Sequence, residues 1–65
     1  MKITDRKALR EFVIYTFSNK AQYVVKQDGY EFGTTATGRA VTHDQLRTMC
    51  KLASQFEDNR VQIRD

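Results

Sequence analysis

His43 and Cys50 are the only histidine and the only cysteine in the chain, seven positions apart. On a helix that spacing puts them on similar sides but about 10 Å apart along the axis. A Cys–His nucleophile needs the two within about 3 Å and a third group to orient the base. A structural zinc site needs four nitrogen or sulfur ligands, and this pair supplies half of them. Cys50 falls in an apolar stripe, where a free thiol packs as a small hydrophobe. Glu57 and Asp58 are neighbours in sequence, so on a helix they point in different directions and form no acid–base couple. The sequence predicts no catalytic residue, no metal ligand set and no cofactor, hence a non-enzymatic chain.

Gly33-Thr34-Thr35-Ala36-Thr37-Gly38-Arg39-Ala40 lies between an expected strand and an expected helix. Its glycine spacing resembles the phosphate loop of the P-loop NTPases, GxxxxGK[ST]. Arg39 stands where that motif has the phosphate-binding lysine, and Ala40 lacks the hydroxyl that would reach Mg²⁺. The segment therefore reads as a connection. Its backbone N–H groups with Arg39 could still hold one phosphate of a nucleic acid.

Charge bears on the choice of partner. Eleven Lys and Arg against eight Asp and Glu leave +3 over 65 residues. The signs alternate along the chain and form no block, as on an ordinary mixed surface. A nucleic-acid footprint would gather the cations on one face. The candidates for such contacts are Lys26 on the hairpin, Arg39 in the glycine-rich loop, and Arg60 and Arg64 on the expected last strand. No apolar run follows the basic start and no stretch approaches the roughly 20 residues of a membrane span, so neither a secretory leader nor a membrane contact is predicted. One cysteine allows no internal disulfide, which suits a reducing cytoplasm. A short, proline-free, mildly basic chain of this kind has the composition of an accessory protein of a phage or mobile element.

The elements that would position these residues follow from pattern. Ala8, Leu9, Phe12, Val13, Thr16 and Phe17 recur at helical spacing, which predicts a first helix over Asp5–Ser18 with Thr4 as its cap. Ile14 and Tyr15 then lie at its exposed margin. Asp28-Gly29 predicts a two-residue hairpin turn in which Lys26 faces Glu31 and Val25 faces Phe32. That register puts Tyr23, Val25, Tyr30 and Phe32 on the core face, and Val24 and Lys26 on the outer one. Thr42 and Gln45 form a capping box for a second helix, with Val41 and Leu46 as its hydrophobic staple. Asn59 is the expected stop, and Arg60–Arg64 the expected closing strand.

The predicted fold is one α+β domain over residues 1–65. Two helices pack on one face of a small three- to four-stranded, mainly antiparallel sheet, in the order α-β-β-α-β. A strand at Met1–Ile3 would make it a compact βαββαβ. The expected core includes Leu9, Phe12, Val13, Phe17, Tyr23, Val25, Phe32, Leu46, Met49, Phe56, Val61 and Ile63. Such a core is small and unstapled, and small chains commonly gain stability by self-association. The expected function is therefore a small interaction or regulatory module that docks on a protein and forms a homodimer. Ile14, Tyr15 and Val24 are its expected contact residues. The other reading is a nucleic-acid binder working through a basic sheet face and the glycine-rich loop.

Overall fold

The computed structural model describes residues 2–64, and their side chains as far as Arg60. Four strands and one helix follow one another in the order β1 (Ile3–Ala8), β2 (Phe12–Phe17), β3 (Gln22–Lys26), β4 (Glu31–Thr34) and α1 (His43–Arg64). The strands form an antiparallel meander, β1-β2-β3-β4. The fold is a small α+β unit with one helix, and the expectation of two helices is corrected at both ends of the chain.

The first correction concerns Asp5–Ser18, which is a hairpin of β1 and β2 and no helix. Phe12-Val13-Ile14-Tyr15-Thr16-Phe17 is an unbroken run of β-branched and aromatic residues, which suit a pleated, half-buried surface. With period two, Tyr15 and Phe17 enter the core, and Val13 packs against it. Thr4 is no cap: its hydroxyl donates to the Thr16 carbonyl across the hairpin, at 3.3 Å. Leu9, expected in the core, sits exposed in the turn between the strands. Ile3 begins β1, while Met1 lies outside the described residues.

The second correction concerns the β3–β4 register. Only Gly29 has positive φ (94°) at this turn, whereas a type I′ turn needs two such residues. Lys26 N donates to Tyr30 O at 2.7 Å, and Gly29 N donates to Lys26 O at 3.0 Å. The loop therefore has three residues, Gln27–Gly29, with glycine closing a bulge in the left-handed region. The extra residue slides the pairing by one. Val24 faces Phe32 and Val25 faces Glu31, so the expected Lys26–Glu31 and Val25–Phe32 pairs do not form.

The β2–β3 turn repeats this geometry with different residues. Phe17 N donates to Ala21 O and Lys20 N to Phe17 O, both at 2.8 Å. The Asn19 carboxamide accepts from Ala21 N at 3.1 Å, as the Asp28 carboxylate does from Tyr30 N at 3.0 Å. Lys20, with φ 70°, occupies the place that Gly29 holds in the other loop. A lysine pays a steric penalty there of about 1 kcal/mol that glycine avoids. Lys20→Gly is expected to raise stability by about 0.5–1 kcal/mol, whereas Gly29→Val should lower it by about 2 kcal/mol. Urea denaturation of the two variants checks both signs, and equal behaviour would contradict the shared turn.

Helix α1 starts as expected. Gln45 N donates to Thr42 Oγ1, and Thr42 N donates to the Gln45 side-chain oxygen, each at 3.2 Å. This reciprocal box serves two of the free donors at the helix start. Thr42→Ala is expected to cost about 1 kcal/mol in thermal or urea unfolding. A loss near zero would mean that the helix does not depend on this cap.

The third correction is at the other end. Asn59 does not stop the helix, which continues through Arg64 where a strand was expected. No glycine or proline stands there to break it, and an ion pair from Glu57 to Arg60, at 2.7 Å, spans the turn that contains Asn59. The side chains of Val61 and Ile63, expected in the core, lie outside the described residues.

The helix covers one face of the sheet. Tyr15, Phe17, Ala21, Tyr23, Met49 and Ala53 form the buried cluster, with Leu46, Cys50, Leu52 and Phe56 of the helix packed against it. The apolar stripe expected of this helix is thus the one it buries. Gly33 of β4 lets the helix approach closely. A Cβ there would stand 2.9 Å from both Met49 Sδ and Val41 Cγ2, nearer than nonbonded carbon and sulfur pack.

Candidate functional site

A sheet has two faces, and α1 occupies one. Strand alternation fixes what the other carries. Since Tyr15, Phe17 and Tyr23 point into the core, Phe12, Ile14, Thr16, Gln22, Val24 and Lys26 project from the opposite side. The shifted register adds Tyr30, Phe32 and Thr34 from β4. From β1 come Asp5 and Lys7, partners of Thr16 and Ile14.

These side chains stand in register rows. The middle row runs Lys7–Ile14–Val24–Phe32 across all four strands. The row nearer the β3–β4 turn runs Phe12–Lys26–Tyr30. The row at the other end is polar: Asp5–Thr16–Gln22–Thr34. Tyr30 is 59% exposed and Phe32 36%, although both are large apolar residues. Their rings lie 5.9 Å apart, tilted by 41°. The Lys26 ammonium sits 5.8 Å from the centre of the Tyr30 ring, a cation–π contact. The result is an apolar patch of five side chains with a lysine on either side. No element among the described residues covers it; within it Val24 is buried, 9% exposed, and Phe12 and Ile14 are half-buried.

Ile14 and Val24, expected as contact residues, are cross-strand partners in the middle of this patch. Tyr15 is not part of it. It is buried, 6% exposed, and stacks with Tyr23 at 6.0 Å. Lys26 belongs to the face. Arg39 does not: it lies in the turn after β4, where its N–H donates to Thr35 Oγ1 at 3.2 Å, at the opposite end of the β3–β4 hairpin from Lys26. Arg60 sits on the helix, engaged with Glu57. Arg64 also belongs to the helix, and its side chain lies outside the described residues. The described cations Lys26, Arg39 and Arg60 are thus not brought together. Phe12, Tyr30, Phe32 and Lys7 are the face residues that sequence reasoning missed. The available signal was the turn length: a three-residue loop around Gly29 moves Tyr30 and Phe32 outward.

The helix side contains the polar contacts that lock the two layers together. Glu57 accepts from Tyr15 OH at 2.5 Å and from Arg6 Nε at 2.6 Å, and its second oxygen accepts from Arg60 at 2.7 Å. Partial burial disfavours the carboxylate, but the hydrogen bonds from Tyr15, Arg6 and Arg60 together outweigh it and hold its pKa below the ordinary glutamate value. Tyr23 OH donates to Glu31 at 2.7 Å. Burial above all, with the neighbouring Cys50 and Glu31, raises the pKa of that phenol, so it stays a neutral donor. Each of these acids is occupied in bridging helix to sheet or strand to strand.

No known family matches this chain. No curated protein and no solved structure matches it either. What distinguishes the molecule chemically is the contrast between its two sheet faces. Among the described residues, no group of three or more His, Cys, Asp or Glu lies close enough to hold a metal ion, and no helix is long and apolar enough to cross a membrane.

Proposed function

We propose that this chain is a small non-enzymatic interaction module that works through the uncovered face of its sheet by docking on protein. The observation that carries the reading is the middle row, in which half-buried Ile14, buried Val24 and exposed Phe32 lie side by side on three adjacent strands, with no described element over them. Tyr30 and Phe32 supply most of the exposed apolar surface of this face, and exposed apolar surface gathered on one face marks interaction sites. A reducing cytoplasm is the setting in which Cys50, an unpaired half-buried thiol, persists as such.

One observation favours the nucleic-acid reading: Tyr30 and Phe32 are exposed aromatics on a sheet face, the feature that binds single strands by stacking. The charge around them argues against it. Lys7 and Lys26 are the face's cations, Asp5 offsets one, and no basic track leads from them to Arg39 or Arg60. Such binding depends on phosphate neutralisation.

A photo-crosslinking amino acid in place of Phe32, introduced in the cells the chain comes from, tests the reading. The expected result is a covalent adduct with protein, absent when the same group replaces Arg47 on the solvent side of α1. Adducts with nucleic acid at Phe32, or equal protein labelling at both positions, would overturn it.

A further inference from the structure

We propose that the occupant of the uncovered sheet face is a second copy of this chain, packed face to face about a two-fold axis that runs parallel to the strands. The inference rests on the docking reading above and goes beyond it by naming the partner and the geometry.

The face is complementary to itself in one orientation. A two-fold axis between the sheets, parallel to the strands, places β1 over β4 of the second copy and β2 over its β3, row upon row. The middle row, Lys7–Ile14–Val24–Phe32, then lies on its own reverse. Lys7 meets the ring of Phe32, and Ile14 meets Val24. In the next row Phe12 meets Lys26. In the polar row Thr16 meets Gln22, and Asp5 meets Thr34. Each lysine gains an aromatic ring, a favourable pairing for a cation with a long apolar stem. No charge faces its like.

The other closed arrangement, with the axis perpendicular to the strands, sets Lys7 against Lys7 on the middle row. Like-charge apposition of that kind disfavours association. Packed sheets also keep their strands within about 30° of one another, so the contact is tightest at its centre, where Ile14 and Val24 stand. A two-fold contact of one patch with itself is the commonest way that chains pair.

Size sets the expected strength. The exposed parts of Phe12, Ile14, Tyr30, Phe32 and the two lysine stems, with little from buried Val24, amount to on the order of 400–500 Å² per copy, at the low end of specific interfaces. A reversible dimer with a dissociation constant of roughly 10–100 μM fits such an area.

Sedimentation equilibrium from about 5 to 500 μM tests the pairing. The expected result is a rise from 7.6 kDa toward twice that mass in the wild type. Phe32→Asp and Tyr30→Asp should hold the chain at 7.6 kDa. Both positions are exposed, and a helical circular dichroism spectrum unchanged from wild type certifies that the variants fold. The axis is tested with Lys7→Cys and Phe32→Cys chains in a Cys50→Ser background and a short bismaleimide. A mixture of the two should crosslink, and Lys7→Cys alone should not. A wild type that stays at 7.6 kDa throughout overturns the proposal while leaving the docking reading to its photo-crosslinking test. A dimer that survives both aspartate substitutions, or crosslinks through Lys7→Cys alone, also overturns it.

Discussion

Replacing Phe17 with alanine is expected to leave the chain largely unfolded at 25 °C. Phe17 is 1% exposed and is one of three fully buried large side chains, with Tyr23 and Met49. It ends β2, pairs with Ile3 of the edge strand, and its backbone closes the β2–β3 turn. Truncating a buried phenylalanine costs about 3–5 kcal/mol, the sum of lost transfer energy and the cavity left behind. A single core in a chain of this size supplies about the same amount. Circular dichroism should show most of the structure lost, and a cooperative transition close to that of the wild type would mean that Phe17 is not central to the core. Phe32→Ala makes the contrast. Phe32 lies on the uncovered face and should cost well under half as much, although the hydrophobicity removed is the same.

The second large effect is expected at Glu57. Glu57→Ala removes the acceptor shared by Arg6, Tyr15 and Arg60 and leaves the Tyr15 hydroxyl in the core without a partner. A loss of about 2 kcal/mol at pH 7 is expected, within the range for charge-assisted hydrogen bonds that leave a donor unsatisfied. The same residue gives a pH dependence. Its folded pKa lies below its unfolded value, so the unfolded chain binds this proton more readily. The stabilisation is complete above the ordinary glutamate pKa, near 4.3, and is lost as pH falls through the lower folded value. Urea midpoints should therefore drop in the wild type below about pH 5, and Glu57→Gln should flatten that part of the profile. Identical acid profiles for the two proteins would mean that Glu57 does not tie the helix to the sheet.

The helix start was legible because its signals are local. Thr42, Gln45, Val41 and Leu46 specify a cap within six residues, and the structure has that cap. The stripe from Leu46 to Phe56 was legible for the same reason. The segment Asp5–Ser18 was not. Ala8, Leu9, Phe12, Val13, Thr16 and Phe17 satisfy a helical period, yet Phe12–Phe17 also satisfies a strand with one face in the core and one moderately apolar face outside. A face with Phe12 and Ile14 outward hides the alternation that would have announced a strand. Tertiary pairing with β3 decided between the two, and no local rule contains it.

The hairpin shows how small a difference can move a site. Asp-Gly signals a turn in either register, and the choice between a two- and a three-residue loop depends on whether Asp28 and Gly29 both take positive φ or Gly29 alone does. One residue of slip carries Phe32 from the core face to the opposite face. Ile14 and Val24 were expected as contact residues outside the core. Their adjacency became visible only when β2 and β3 were paired. The stop at Asn59 failed because an asparagine can be carried inside a helix when an ion pair across it, here Glu57–Arg60, holds the turn.

Everything proposed for the function depends on that register, and nuclear Overhauser contacts in uniformly labelled protein test it most directly. Contacts from the Val24 methyl groups to the Phe32 ring and to the Ile14 side chain are expected, with none from Phe32 to Met49. Contacts between the Val25 methyl groups and the Phe32 ring, together with Phe32 to Met49, would return Phe32 to the core, remove the apolar row from the open face, and contradict the account.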